Sequence, residues 1–246
     1  MALNKNSIVF FWIGKEIKIP QVLVHSVRLV MGDEINVIQL TNNETDEVEG
    51  VNKVKRFDLS NQIMIARLEA YSQYLPETEN TFFCDADSIF INKFKLPENN
   101  SKKIFLSPRQ EDFNISHTFP EYYAEFIGKT ANEVMPFLFG AILVIGNQQK
   151  IFKEILNIAQ NLPDRFHRWY GDQYALKKYI DKGFYDFGVL DPDIYLNIIR
   201  QPLELSFLKE AYERKVQMFT FKGPQSKQSL DQALILLKYF YNKFKK

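Results

Sequence analysis

The alternation of apolar runs and amphipathic segments over the first 85 residues constrains the fold more than any other feature. Residues 7–13, Ser-Ile-Val-Phe-Phe-Trp-Ile, form a continuous apolar run that ends at Gly14 and is typical of a buried parallel strand. Further strands are predicted at 35–40, 51–57 and 81–85, and helices at 20–30 and 61–75. This β-α-β-β-α-β order predicts an α/β fold with a mostly parallel central sheet.

The remainder of the chain contains no internal repeat and no linker, so we expect one domain over residues 1–246. Later strands are predicted at 88–91, 138–145 and 217–221, and helices near 148–161, 172–182 and 229–244. Residues 111–129 are the least regular, and we expect them to form a loop insertion over the site.

Charge and cysteine content exclude several classes of function. The chain has 31 Lys and Arg against 30 Asp and Glu, a net charge of +1, which argues against a dedicated nucleic-acid binder. Its single cysteine excludes an internal disulfide and a cysteine-rich zinc site. The longest apolar runs reach about half of the ~20 residues that a membrane helix needs. We therefore expect a cytoplasmic protein.

Two aspartates follow the predicted strand that ends at Cys84. In open α/β sheets, ligands gather at the carboxyl ends of the strands. Carboxylates spaced like Asp85 and Asp87 can share a divalent cation with a diphosphate, so we expect them to hold Mn²⁺ or Mg²⁺. A second Asp-x-Asp pair, at 191 and 193, contains Pro192 and is predicted to be a turn.

The sequence around this pair resembles a known family. Arg67-Leu-Glu-Ala-Tyr-Ser-Gln-Tyr-Leu-Pro, followed by Phe82-Phe-Cys-Asp-Ala-Asp-Ser-Ile-Phe90, is similar to nucleotide-sugar glycosyltransferases of the GT-A fold. The likeness is greatest to the retaining galactosyl- and glucosyltransferase type that includes lipopolysaccharide enzymes and glycogenin. It implies a single-domain GT-A fold with a Rossmann-like nucleotide-binding sheet. It also implies donor contacts from Arg67, Asp85, Ala86 and Asp87.

The reaction that this resemblance implies is a metal-dependent transfer of a hexose. The donor would be a nucleoside diphosphate sugar, UDP-linked, and the acceptor a saccharide of a glycan, lipopolysaccharide or capsule. Retention of configuration is implied by the resemblance alone.

The opening strand carries a second resemblance. Phe10-Phe-Trp-Ile-Gly14 is similar to the first strand of glycosylating toxins and related capsule and mannosyl enzymes, in which a tryptophan at the position of Trp12 stacks on uracil. The resemblance assigns Phe11, Trp12, Ile13 and Gly14 to donor binding. A tryptophan at this place is also typical of a core residue, and both interpretations stand.

Two later segments resemble the family more loosely. Trp169-Tyr-Gly-Asp-Gln173 looks like the family's Asp-Gln helix start near the reacting sugar, which implies catalytic roles for Asp172 and Gln173. An aspartate at a helix start is also a common N-cap. The strand from Phe139 is similar to the family's Asn-Ser-Gly strand but departs from it at Phe139 and Ala141.

Thr220-Phe-Lys-Gly-Pro-Gln-Ser-Lys227 resembles the family's segment that grips the diphosphate, which implies donor contacts from Lys222, Gly223 and Lys227. Thr220 stands where the family has a metal-binding histidine. We therefore expect the metal to have fewer protein ligands than is usual in the family.

Two alternative functions remain open. A phosphohydrolase of the haloacid dehalogenase type also has an Asp-x-Asp loop, but on its first strand, whereas here about 80 residues precede it. A non-catalytic protein that binds nucleotide sugars or carbohydrate is the second alternative.

The last predicted helix also has two interpretations. The lysines around its end suit a helix that is docked on the core, or peripheral contact with an anionic membrane.

Overall fold

A seven-stranded sheet forms the centre of the computed structural model, which describes residues 5–98, 101–118, 124–184, 186–223 and 228–244. Its strands are β1 (Asn6–Phe11), β2 (Asn36–Thr41), β3 (Lys53–Arg56), β4 (Asn80–Cys84), β6 (Ile104–Pro108), β7 (Phe137–Ile145) and β8 (Gly188–Val189). They lie in the order β3-β2-β1-β4-β7-β6-β8, and β7 alone among them is antiparallel to its neighbours. The expected mostly parallel sheet is confirmed.

A smaller sheet lies beside the central one and consists of β5 (Ser88–Phe90), β9 (Asn197–Ile199) and β10 (Met218–Phe221). β10 lies between the other two, antiparallel to β5 and parallel to β9. The backbone N–H of Phe221 donates to the carbonyl oxygen of Asp87 at 2.8 Å. This sheet therefore brings the end of β10 next to the Asp-x-Asp segment.

Helices cover both faces of the central sheet. The long ones are α1 (Lys18–Met31), α2 (Ile63–Gln73), α3 (Gln149–Gln160), α4 (Gly171–Asp181), α5 (Leu205–Glu213) and α6 (Leu230–Phe244). Short helical segments lie at Ile115–Thr118, Ala124–Phe126, Ala131–Val134, Asp164–His167 and Pro192–Tyr195. Because strand side chains alternate, Ile8 and Phe10 pack in the cluster with α1, α6 and the small sheet, whereas Val9 and Phe11 pack with α2, α3 and α4.

The structure differs from the sequence-based expectation in several short elements. β6, β8, β9 and α5 were not predicted; β8 and β9 have only two and three residues, too few to show a periodicity. α1 begins at Lys18, two residues before Pro20, and a helix tolerates a proline in its first turn. The predicted cap Ser60 accepts the N–H of Gln62 at 3.1 Å, but α2 begins only at Ile63.

The predicted turn at the second Asp-x-Asp pair is a short helical segment. Asp191 precedes it, and its side chain accepts the N–H of Asp193 at 3.0 Å, which caps the Pro192–Tyr195 segment. The Asp191 side chain therefore has a local structural role, whereas the Asp193 carboxylate accepts a hydrogen bond from Nε2 of Gln110 at 3.0 Å. The expected insertion at 111–129 contains two short helical segments, and its residues 119–123 lie outside the described part of the chain.

The C-terminal helix α6 packs its apolar stripe onto the core, as the docked-helix interpretation expects. Its buried residues are Leu230, Ala233, Leu234, Leu237 and Phe240. Within the described ranges, no helix has both the length and the hydropathy that a bilayer crossing requires. Peripheral contact with a membrane stays a prediction.

Candidate functional site

The Asp-x-Asp segment lies at the carboxyl end of β4, in the middle of the central sheet. The N–H of Asp85 donates to the carbonyl oxygen of Gly140 on β7 at 3.2 Å. A Cβ atom at position 140 would lie 2.8 Å from Oδ2 of Asp85, so a glycine is needed for this close approach. Sequence reasoning missed Gly140, although a glycine inside a strand is a signal of such an approach.

Lys222 follows β10 and points at both aspartates. Its Nζ lies 2.5 Å from Oδ2 of Asp85 and 3.1 Å from Oδ1 of Asp87. Burial alone would lower the pKa of Lys222, but the charges and hydrogen bonds of the two carboxylates raise it above its ordinary value. The ammonium is therefore charged at neutral pH, and the two carboxylates converge on one cation.

Arg67, on α2, binds two carboxylates from distant segments. Its Nη1 donates to Oδ1 of Asp85 at 3.0 Å, and its Nη2 pairs with Oδ2 of Asp172. Asp172 is fully buried, and the Arg67 side chain is 13% exposed. The guanidinium carbon lies 5.5 Å from the ring centroid of Phe139, one of the positions that depart from the family pattern. Arg67 therefore faces carboxylates at the strand end, and its role in donor binding stays a prediction.

Asp172 is not the N-cap of its helix, so that alternative is wrong. Tyr170 holds the N-cap position in a left-handed conformation, with φ at 58°, and makes no side-chain cap. Asp172 is the second residue of α4, and its Oδ1 accepts the N–H of Gln173 at 2.7 Å. Its other oxygen is bound by Arg67, which orients the carboxylate toward Asp85.

Gln173 lies beside this cluster and is half-buried. Its Oε1 accepts a hydrogen bond from Nη2 of Arg109, the residue that follows β6. Sequence reasoning missed Arg109, because no motif surrounds it and its contacts lie in other segments.

Trp12 follows directly after β1 and is half-buried against the cluster on the α1 face. Its Nε1 donates to the carbonyl oxygen of Glu16 at 3.0 Å. Gly14 is exposed, with φ at 132°, and its N–H donates to Oγ1 of Thr45 at 2.9 Å. The Phe11 side chain is buried in the opposite cluster and Ile13 packs beside that cluster, so a ligand would meet mainly Trp12 and Gly14 here.

The remaining predicted donor-binding residues are placed as follows. Ala86 is buried. Gly223 is exposed, with φ at 90°, next to the ammonium-bearing Lys222. Lys227 lies outside the described residues. Thr220, in the place of the family's histidine, is fully buried, and its Oγ1 donates to Oδ1 of Asp87 at 3.3 Å.

The cluster suits a hard cation with few protein ligands. Asp85 and Asp87 direct one oxygen each to a single point, and carboxylate oxygens are the ligands that Mg²⁺ and Mn²⁺ prefer. Across the described ranges, no group of three or more His, Cys, Asp or Glu side chains is placed to hold a metal. A cation here would take its other ligands from water and from a bound diphosphate.

Comparison with known proteins relates the chain to glycosyltransferases by structure. No protein-family model and no curated protein matches its sequence. The chain is similar to a glycosyltransferase involved in the glycosylation of the major capsid of PBCV-1, with a TM-score of 0.57 and 13% identity over 94% of this chain and 98% of that one. It is also similar to the apo-form glycosyltransferase GlyE of Streptococcus pneumoniae TIGR4, with a TM-score of 0.56 and 12% identity over 98% of this chain and 64% of that one. The chain therefore has a fold that glycosyltransferases use.

Proposed function

We propose that the chain is a glycosyltransferase that moves a hexose from a UDP-linked sugar to a saccharide acceptor of a glycan, lipopolysaccharide or capsule. One observation carries this proposal: five charged side chains from four segments converge at the carboxyl end of β4, in a fold that glycosyltransferases use. They are Arg67, Asp85, Asp87, Asp172 and Lys222. Their arrangement matches the place where open α/β sheets bind ligands.

In this proposal Lys222 and Gly223 bind the diphosphate of the donor. Gly223 has no side chain to obstruct a close approach by phosphate oxygens, and Lys222 supplies a compact positive charge beside it. Lys222 exchanges its carboxylate partners for phosphate oxygens when the nucleotide arrives. Asp85 and Asp87 would hold a Mn²⁺ or Mg²⁺ ion, which would supply further positive charge beside the departing diphosphate.

Asp172 and Gln173 act at the reacting sugar in this proposal. Arg67 holds Asp172 in place, and its fixed carboxylate favours the positive charge that develops at the sugar carbon as the diphosphate leaves. Trp12 stacks on the uracil ring at the neighbouring strand end.

The rival phosphohydrolase interpretation fits this geometry less well. Such an enzyme needs an aspartate oxygen free to attack phosphorus. Oδ1 of Asp85 is bound by the guanidinium of Arg67, which draws charge from this carboxylate and makes it a poorer nucleophile. It also follows the fourth strand along the chain and not the first.

Asp87→Asn tests the donor site, because it removes charge from the cation position and leaves the side-chain shape unchanged. UDP at 100 times its Kd stabilises a native protein by about 2.7 kcal/mol, or roughly 5–10 °C in Tm for this length. We expect such a shift for the wild type with UDP and Mn²⁺, a smaller one with EDTA, and none that depends on Mn²⁺ in Asp87→Asn.

The matched control is Asp193→Asn, since it changes the other Asp-x-Asp pair, where the Asp193 carboxylate accepts an exposed hydrogen bond from Gln110 and an asparagine keeps an oxygen for it. This variant should respond like the wild type. Equal Mn²⁺-dependent shifts in Asp87→Asn and in the wild type would contradict a metal site at Asp87.

A further inference from the structure

Arg109 is fixed from several sides next to the proposed reaction centre. Its backbone N–H donates to the carbonyl oxygen of Pro136 at 2.8 Å, and its Nε donates to that of Met135 at 2.9 Å. Its guanidinium carbon lies 5.7 Å from the ring centroid of Phe113 and 5.9 Å from that of Tyr170. These contacts leave the guanidinium little freedom to move.

The contact between Arg109 and Gln173 determines how the carboxamide of Gln173 is turned. A guanidinium only donates hydrogen bonds, so the Gln173 atom that faces it is the carbonyl oxygen. The Nε2 group, with its two N–H donors, therefore lies on the other side of the carboxamide. No residue of the described ranges accepts a hydrogen bond from this Nε2, and the side chain is partly open to solvent.

We propose that Arg109 is a positioning residue, which holds the carboxamide of Gln173 so that its N–H donors face the bound sugar nucleotide or acceptor. This inference rests on the proposed glycosyltransferase function. Gln173 then donates to an oxygen of the ligand, either a sugar hydroxyl or a phosphate oxygen, and its own carbonyl oxygen is unavailable to the reacting carbon. The neighbouring Asp172 is fully buried, with its oxygens bound by Arg67 and by the N–H of Gln173, so Gln173 is what offers hydrogen-bond donors to a ligand at this place.

A thermal double-mutant cycle tests the orientation without any ligand. Gln173→Glu keeps an oxygen toward Arg109 and turns the contact into an ion pair, so we expect its Tm to equal or exceed that of the wild type. In an Arg109→Met background the same substitution lacks a cationic partner, and the Tm should fall. An equal fall in both backgrounds would overturn the inference. If Arg109→Met does not fold, the Tm change caused by Gln173→Glu is compared between the Arg109→Ala and Arg109→Lys backgrounds. Only in the lysine background should Gln173→Glu leave the Tm unchanged or higher.

Turnover tests the direction of the N–H donors. We expect Gln173→Glu to release UDP from UDP-glucose or UDP-galactose roughly 10- to 100-fold more slowly than the wild type, because the N–H donor is lost and the ligand oxygen is left unpaired. Gln173→Met, which adds no charge, should be slowed as well. Wild-type rates in Gln173→Glu would show that the oxygen faces the sugar and would overturn the inference.

A second cycle separates positioning from general support of the fold. Arg109→Lys keeps the charge but loses the fork of donors, so kcat should fall while the KM for the donor changes little. In a Gln173→Ala background, Arg109→Lys should have no further effect on kcat, whereas an equal loss in both backgrounds would contradict the positioning role. If the wild type turns over no nucleotide sugar, the proposed function fails, and the thermal cycle still decides whether Arg109 orients Gln173.

Discussion

Lys222 determines the charge that an incoming ligand meets. Three carboxylates, at 85, 87 and 172, and two cations, Arg67 and Lys222, leave the cluster with a formal charge of −1. A divalent cation bound by both aspartates would lie against the ammonium, and like charges at such a distance repel strongly. We therefore propose that metal binds weakly until a diphosphate draws Lys222 away.

Lys222→Met tests this competition, because methionine removes the charge and keeps much of the volume. We expect its affinity for Mn²⁺ in the absence of nucleotide to rise roughly 10-fold or more, and its affinity for UDP to fall. Titration of free Mn²⁺ by electron paramagnetic resonance measures the first quantity. Lys177→Met, which removes a half-buried lysine on α4 that pairs with Asp181, is the control and should behave as wild type. Identical Mn²⁺ affinities in wild type and Lys222→Met would contradict the competition.

Trp12 is expected to stack on the base of the donor. Stacking of a base on an aromatic side chain contributes roughly 1–3 kcal/mol, so Trp12→Ala should weaken UDP binding about 5- to 150-fold and leave its metal dependence in place. In a Trp169→Phe background, the fluorescence of Trp12 should be quenched by UDP with Mn²⁺. Unchanged fluorescence at saturating UDP, with unfolding of Trp12→Ala, would instead make this tryptophan a core residue.

The Arg67–Asp172 pair joins α2 to α4 beside the end of β4. Replacing Asp172 by alanine leaves a buried guanidinium without one partner, which costs about 3 kcal/mol and lowers the Tm by roughly 6–12 °C. Asp172→Asn keeps an oxygen for Arg67 but loses the charge, so its Tm should lie closer to that of the wild type. We expect both variants to lose transfer activity more than UDP affinity.

Measurement of Tm, UDP affinity and transfer rate on the same two proteins separates the roles of Asp172. If Asp172 had only a structural role, the folded Asp172→Asn protein would keep full transfer activity. This result would exclude Asp172 from the reaction.

The predictability of each element depended on its length and on how local its contacts are. β1 and β4 contain consecutive apolar residues and have clear ends, and both were predicted within two residues. β8 and β9 are held by pairing with distant strands, which no local pattern shows. The Asp-x-Asp segment was visible because its residues are adjacent in sequence, whereas Arg67 and Asp172 are 105 residues apart and meet only in the folded chain.

The arrangement of the two sheets explains why the site needs most of the chain. The central sheet places the end of β4 against Gly140 of β7, and the small sheet carries Thr220 and Lys222 to Asp87. The segment after β6 adds Arg109, and its neighbour Glu111 pairs with Arg200 at the end of β9. Truncation within any of these elements would remove residues that line the site.

The identity of the released product tests the proposed reaction most directly. The protein is incubated with UDP-glucose and UDP-galactose in the presence of Mn²⁺, and both UDP and inorganic phosphate are measured, with EDTA and Asp87→Asn as controls. A glycosyltransferase cleaves the bond between sugar and diphosphate and transfers a small fraction of the sugar to water. We predict release of UDP from one of these donors, lost with EDTA and in Asp87→Asn, and no release of phosphate. Release of inorganic phosphate, or binding of the nucleotide sugar without any release of UDP, would contradict the proposal.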